Sequence, residues 1–410
     1  MKLTGPKVLA LALLVAGQVV VPSLIGAVPN ADAAAFIPGS SQYQAVAPAR
    51  LADTRPSEGA FGFERISDHV IRVQVAGQFG VPGNAAAAVL NVTGVNTTAP
   101  GFVTVYPAGT DLPTASNVNF DRAGQVMANM VTVKLGVGGA VDVYTQAPMD
   151  LVVDVSGAYV PVSAPVASGR LVTRADGAFR VLDTRSRGFG VAPGSTERVD
   201  VGAAGVPADA VAVVVNLTAT ETGLGFWTAF PLGQTVPNAS NLNIDTAGQT
   251  RAGQAIVLLS GIPSFNVFSQ GGGHLVVDVA GYFTSPSAPA ATAGRFHVIQ
   301  PFREVDSRFG IGFGRLPGGV AASINPSTVP DNAAAMAHNI TIVDNAIPGF
   351  VTPYPGPTLP VVSAGNTTAA GQIHAVLSFT QLSAAPATMS YYTLMPTDLV
   401  VDTPGYFEGG

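Results

Sequence analysis

Short stretches of β-branched and aromatic residues alternate with polar positions along most of the chain. Two examples are the stretches from Val89 to Val95 and from Leu151 to Val155, and such stretches are bounded by glycine, proline or asparagine. A period of two is typical of strands, and no helical stretch interrupts the series. The pattern therefore predicts an all-β fold of antiparallel strands.

The strand pattern recurs three times at a long interval. Each copy closes with Leu-Val-Val-Asp, and the aspartates of this motif, Asp154, Asp278 and Asp402, are spaced by 124 residues both times. The Gly-Phe pairs that keep the same interval end at Phe102, Phe226 and Phe350. Repetition of this kind indicates tandem modules, and the interval exceeds the length of a propeller blade. We predict three antiparallel β-sandwich modules of jelly-roll type, each of about 120 residues, with a small barrel as the alternative.

Proline-rich and alanine-rich stretches divide the copies. The predicted modules are residues 44–160, 169–284 and 295–408, and the predicted linkers are 161–168 and 285–294. This composition is typical of semi-extended linkers, so we expect three beads that each fold alone. The third module diverges, because Ser307 replaces a threonine and Pro404 interrupts the last strand. If the modules bind a ligand, the third is the first of the three expected to have lost it.

Residues 1–35 have the pattern of an export signal. Lys2 and Lys7 precede an apolar run from Val8 to Val28, and small residues follow at Ala33 and Ala34. We predict a cleaved signal peptide and a secreted, extracellular or cell-surface protein, with an uncleaved membrane anchor as the alternative. No later segment is apolar over about 18 residues, so no transmembrane span is expected after cleavage.

The composition narrows the function classes. The chain has no cysteine, which removes disulfides and thiol chemistry. Its net charge of -6 is opposite in sign to the field of a duplex-binding protein, so no nucleic-acid partner is expected. The five histidines do not recur between copies, and no nucleophile elbow or phosphate loop is present. We predict no catalytic residue, no metal and no cofactor.

The recurring aspartates and arginines are candidates for ion pairs or for ligand binding. Strand alternation places Asp154 in a segment suited to burial, and a buried carboxylate requires a partner. Each copy opens with Asp-Thr-Arg or Asp-Ser-Arg, which supplies an arginine. We predict three ion pairs that tie the first strand of each copy to its last: Asp154 with Arg55, Asp278 with Arg185, and Asp402 with Arg308. Calcium binding by the opening aspartates is the alternative, which their isolation from other acidic residues disfavours.

An Asn-x-Thr tripeptide lies in a predicted strand of every copy. It matches the acceptor pattern for glycosylation. Because it repeats with the fold, we expect Asn91, Asn216 and Asn339 to satisfy backbone groups at a sheet edge or turn instead.

Aromatic residues on strands are the candidate ligand contacts. A sugar-stacking platform could be formed by Tyr106, Trp227, Phe230 and Tyr354. Packing in the core is the commoner fate of such residues and is the alternative. The expected partner is a glycan or a surface protein of the cell envelope.

The motifs resemble the tandem repeat modules of secreted and surface proteins of actinomycetes. These modules share an Asp-Thr-Arg opening, Gly-Phe-Val-Thr-Val-Tyr-Pro, Ser-Asn-x-Asn and a closing Leu-Val-Val-Asp-Val-x-Gly-Tyr-Phe, and the resemblance covers almost everything after residue 44. It implies an extracellular accessory role without a defined reaction. We predict a non-catalytic adhesive, binding or spacer protein. The alternatives are an extracellular hydrolase of cell-wall or plant polysaccharide and a structural protein that self-assembles through strand edges.

Overall fold

Antiparallel strands make up most of the computed structural model, which describes residues 39–174 and 177–410. These ranges contain 26 strands and five 3₁₀ turns. The turns are Pro56–Glu58, Val137–Gly139, Thr184–Arg187, Gly202–Ala204 and Ser307–Phe309. The predicted all-β class is confirmed, whereas the predicted signal peptide lies outside the described residues.

The first nine strands, here called copy one, form two sheets. They are β1 (Ser40–Asp53), β2 (Phe63–Arg65), β3 (Val70–Gln74), β4 (Ala87–Val95), β5 (Gly101–Pro107), β6 (Val118–Phe120), β7 (Met127–Lys134), β8 (Ala140–Thr145) and β9 (Asp150–Val162). The inner sheet has the order β1-β9-β4-β7, and the outer sheet has the order β2-β3-β8-β5-β6.

Copy two repeats this arrangement with nine strands. They are β10 (Leu171–Thr173), β11 (Phe179–Asp183), β12 (Ser195–Asp200), β13 (Ala212–Thr220), β14 (Gly225–Pro231), β15 (Leu242–Ile244), β16 (Arg251–Leu258), β17 (Ser264–Ser269) and β18 (His274–Phe283). Its inner sheet is β10-β18-β13-β16, with β11 also paired to β18, and its outer sheet is β12-β17-β14-β15.

Copy three has eight strands in the same order. They are β19 (Phe296–Asp306), β20 (Val320–Ile324), β21 (Ala335–Val343), β22 (Gly349–Tyr354), β23 (Gly365–Thr367), β24 (His374–Gln381), β25 (Met389–Thr393) and β26 (Asp398–Phe407). The inner sheet is β19-β26-β21-β24, and the outer sheet is β20-β25-β22-β23. A short pairing of β1 with β19 joins the inner sheets of copies one and three.

Each copy encloses its own apolar cluster between its two sheets. In copy one, Leu90 and Val153 of the inner sheet share a cluster with Val105 and Val143 of the outer sheet. Equivalent clusters fill copies two and three. Alternation along each strand supplies these side chains from one face of each sheet.

A fourth apolar cluster contains residues of all three inner sheets. The final aromatic residues of the three closing motifs, Tyr159, Phe283 and Phe407, meet there, and each is fully buried. Tyr43 of copy one stacks on Phe283 of copy two at 4.1 Å between ring centroids. Tyr159 stacks on Phe296 of copy three at 4.2 Å. The outward face of each inner sheet therefore also carries buried apolar residues, and the copies cover one another there.

The copies pack against one another instead of being separated by free linkers, and the expectation that each folds alone stays a prediction. All described residues belong to one compact unit. The stretches expected to be linkers pair with each other through Val166 and Ala291. Arg170, just after the first stretch, donates to the carbonyl oxygens of Pro289 and Ala293 in the second. A separate copy would expose the outward apolar face of its inner sheet to water, which explains the closure.

Candidate functional site

Three repeated polar residues form a row across each inner sheet. In copy one, Arg50 on β1 lies opposite Asp154 on β9, and Asp154 lies opposite Asn91 on β4. Val153 and Val155 point into the core of copy one, so Asp154 points to the other face. That face meets copy two, where Asp154 shares a narrow crevice with Thr228 and Ser240.

The buried aspartates pair with arginines, but not with those predicted. In copy one, Arg50 Nε lies 2.9 Å from Asp154 Oδ1. The corresponding pairs are Arg180 with Asp278 at 2.8 Å and Arg303 with Asp402 at 2.9 Å. The predicted partners Arg55, Arg185 and Arg308 each bind the aspartate of their own tripeptide instead, at 2.6 to 2.7 Å. The reason is register: Arg50 faces Asp154 across the strand pair, whereas Arg55 lies beyond the end of β1.

Each row continues as a ladder of alternating charge. Arg50 also lies 3.3 Å from Asp53, which in turn binds Arg55. Burial raises the pKa of Asp154 to about 6, and the hydrogen bonds from Arg50 oppose that rise. The oxygens of Asp53 face two guanidinium groups, so they are poorly placed for calcium. In residues 39–174 and 177–410, no group of three or more His, Asp or Glu side chains is placed to hold a metal ion.

The three asparagines of the Asn-x-Thr tripeptides close a ring of contacts between copies. Asn91 of copy one donates to Ser240 O of copy two, and Asn216 of copy two donates to Ser363 O of copy three. Asn339 of copy three donates to Ser116 O of copy one at 2.8 Å, which completes the ring. All three asparagines are buried. The predicted backbone partners are confirmed, but they belong to the next copy rather than to a sheet edge, and a glycan has no room there.

The contacts between copies are here called seams. The acceptor serines belong to the recurring Ser-Asn-x-Asn and Ser-Ala-Gly-Asn segments, so both halves of each contact repeat with the sequence. The crevices that remain beside the three asparagines have volumes of about 40, 20 and 20 Å³. Such volumes hold about one water each, so the seams are tightly packed.

The four aromatic residues predicted as a sugar platform are not on a binding surface. Tyr106, Trp227, Phe230 and Tyr354 are 5%, 0%, 2% and 8% exposed. The prediction is wrong because Trp227 points into the core of copy two, and the other three side chains are covered as well. Burial removes the ring faces that a sugar would contact.

A different pair of aromatic rings is half-buried on each outer sheet. The ring centroids are 5.8 Å apart for Phe102 with Tyr144, 5.8 Å for Phe226 with Phe268, and 6.1 Å for Phe350 with Tyr392. The first ring of each pair belongs to the Gly-Phe dipeptide that repeats at a fixed interval. The fixed spacing of the Gly-Phe dipeptides is the feature of the sequence that identifies these positions. The aromatic residue type alone does not.

One aromatic pair lines a cleft of about 450 Å³ at the seam between copies two and three, here called the seam cleft. Phe350 and Tyr392 lie on the copy three wall, together with Asn366. The copy two wall carries Arg180, Arg185 and the hydroxyls of Thr218, Thr220 and Thr250. A cleft of this size with apolar rings and a few polar groups is suited to a small ligand or a segment of a polymer.

The charged residues that line the seam cleft are arginines. Two arginines and no carboxylate are among its lining residues. Each arginine is paired with an aspartate: Arg180 binds the fully buried Asp278, and Arg185, whose side chain is 48% exposed, binds Asp183. The hydrogen bond from Arg185 lowers the pKa of Asp183, so this pair stays ionised at neutral pH. Arg185 Nη1 makes no hydrogen bond to a described residue, so it is available to donate to a ligand in the cleft.

Comparison with known proteins gives no further assignment. No model of a protein family matches the chain, and no curated protein matches it. Among the residues that the structure describes, no helix is long and apolar enough to cross a membrane.

Proposed function

We infer that the protein is a non-catalytic binding protein of the cell envelope that binds acidic glycans. In this proposal three jelly-roll-like β-sandwich modules, each of about 120 residues, close on one another and hold the ligand at a seam. The export pattern of residues 1–35 supports a secreted or cell-surface location. The resemblance to repeat modules of actinomycete surface proteins supports the same location.

The seam cleft is the observation that carries this proposal. Phe350 and Tyr392 offer ring faces to the C–H face of a sugar. Arg180 and Arg185 offer charge-assisted hydrogen bonds to a carboxylate or phosphate on that sugar. Threonine hydroxyls can donate to and accept from the sugar hydroxyls. The planar guanidinium group of Arg185, whose Nη1 makes no hydrogen bond to a described residue, suits an acidic sugar better than a neutral one.

The hydrolase alternative needs two carboxyl groups on either side of a scissile bond. The seam cleft has no carboxylate among its lining residues, which favours binding over hydrolysis. The self-assembly alternative makes no use of the cleft.

Binding of polygalacturonate by residues 36–410 tests the proposal, with cellulose and xylan as neutral polymers and released sugar measured in the supernatant. We expect binding without release, weakened by added salt because the contact is ionic. The double variant F350A/Y392A is expected to bind about tenfold less tightly, since it removes both ring faces.

The matched control is F189A, which removes an aromatic ring that is 63% exposed and is not among the residues lining the seam cleft. Equal affinity of wild type and F350A/Y392A for polygalacturonate would contradict the proposal. Released sugar would favour the hydrolase.

A further inference from the structure

Copy one has a second cleft, of about 430 Å³, that is built without any residue of copies two and three. It lies at the free edge of the outer sheet, where β2 pairs with β3. Phe63 and Phe79 line it together with Glu64, Arg72 and Gln78. This site is here called the copy-one cleft.

Phe79 holds an unusual conformation in this cleft. Its φ angle is +45°, a left-handed value that a bulky side chain rarely adopts, and its side chain is 57% exposed. The surrounding turn is fixed by backbone hydrogen bonds from Gly77 to Val81 and from Val81 to Gln78, at 2.9 and 2.8 Å. Phe79 therefore combines a strained backbone with a largely solvent-exposed ring, so burial of the ring does not offset the strain. Strain of this kind is characteristic of ligand-binding positions.

Some polar atoms of the copy-one cleft have no hydrogen-bond partner among the described residues. Arg72 Nε and Nη2 bind Asp142 at 2.7 and 2.9 Å, while its Nη1 makes no hydrogen bond to any described residue. Glu64 lies opposite Arg72 in the strand register, and within the described residues its carboxylate makes no hydrogen bond or ion pair. Arg72 Nη1 can therefore donate, and Glu64 can accept, toward neighbouring hydroxyl groups of one ligand.

Neither of the other copies has these features. Counted from the Val-Pro dipeptide that all copies share, Ala204 and Ser327 stand where copy one has Phe79. In copies two and three the edge strands β12 and β20 take the place of β3, and among the described residues they carry no counterpart of β2. The copy-one cleft is thus an addition to the repeat rather than a part of it.

We propose that the copy-one cleft is a separate binding site for a neutral sugar, stacked on Phe79 and hydrogen-bonded by Glu64 and Arg72. Asp142 already balances the charge of Arg72, so Glu64 is the one charge without an ion-pair partner among the residues that line the cleft, and it disfavours an acidic ligand. A carboxylate and a guanidinium side by side match the adjacent hydroxyls of a neutral ring. The inference extends the proposed function to a second ligand class and uses none of the residues of the seam cleft.

Calorimetric titration of residues 36–410 with xylohexaose, cellohexaose and chitohexaose tests this proposal. The key variant is F79G, which removes the ring and also accepts a positive φ without strain. We expect wild type to bind at least one of the three sugars, and F79G and E64Q to bind it at least tenfold less tightly. F79G is expected to unfold at a temperature no lower than wild type, which separates a binding role from a folding role.

The matched control is F309A, because Phe309 is 59% exposed and lies outside both clefts. Neutral-sugar binding that survives in F79G, or no binding of any of the three sugars by wild type, overturns the inference. The two proposals fail separately: F350A/Y392A is expected to lose polygalacturonate and keep the neutral sugar, and F79G is expected to do the reverse.

Discussion

Replacing Asn339 with alanine tests whether the three copies fold as one unit. Asn339 is buried, donates to Ser116 O at 2.8 Å, and accepts from Asn129 Nδ2 at 2.9 Å. The variant N339A leaves a buried carbonyl and a buried amide without these partners. At about 1 to 2 kcal/mol for each group, the expected loss is about 2 to 4 kcal/mol in the free energy of unfolding.

The assay is urea unfolding followed by two signals. Trp227, the only tryptophan of the chain, is buried in copy two and reports that copy by fluorescence, whereas circular dichroism reports all strands. Asn339 joins copy three to copy one, so in a chain of independent beads the fluorescence transition of N339A would not move. We expect the fluorescence and dichroism transitions to shift together to lower urea.

The control for this experiment is N325A. Asn325 is an exposed asparagine of the same copy, and its replacement is expected to change the free energy of unfolding by less than about 0.5 kcal/mol. A fluorescence transition of N339A that coincides with that of wild type while the dichroism transition splits would refute the reasoning.

Further predictions concern the charge ladder and a buried histidine. Replacing Arg303 with alanine leaves Asp402 buried without its partner and is expected to cost about 3 to 5 kcal/mol, whereas R308A removes a side chain that is 42% exposed and is expected to cost about 1 kcal/mol or less. Equal losses of stability in urea unfolding would contradict the assignment of Arg303 as the buried partner. Burial lowers the pKa of His374 to about 3, so at pH 5 the unfolded chain binds a proton there and the folded chain does not. The stability due to neutral His374 is present above about pH 6.5 and is lost as the pH falls, so between pH 7 and pH 5 the variant H374Q is expected to lose about 2 kcal/mol less stability than wild type. Identical pH dependence of the two proteins would contradict this.

The sequence predicted the strands and the burial of the closing aspartates, but not their partners. Alternation predicts that Asp154 is buried, and a buried carboxylate needs a positively charged or hydrogen-bonding partner. Which arginine provides it depends on the register between β1 and β9, and that register shifts twice, between Ala45 and Ala49 and between Arg50 and Ala52. Such irregularities are not visible in the sequence, so the sequence points to Arg55 of the repeated tripeptide rather than to Arg50.

The candidate site was harder to predict for two reasons. Phe226 and Trp227 are adjacent aromatic residues, and alternation does not say which one faces the core; the structure buries Trp227 and leaves Phe226 half-buried. The closure of the copies does leave a trace in the sequence. Strands such as β13 carry consecutive apolar residues from Val213 to Val215, which is typical of sheets covered on both faces.

Small-angle X-ray scattering of residues 36–410 tests the central claim most directly, because the seam cleft exists only if the copies close on one another. For a single compact unit of this length the expected radius of gyration is about 21 Å. A radius well above that value, on the order of 30 Å or more, is expected for separate modules on extended linkers and would contradict the account.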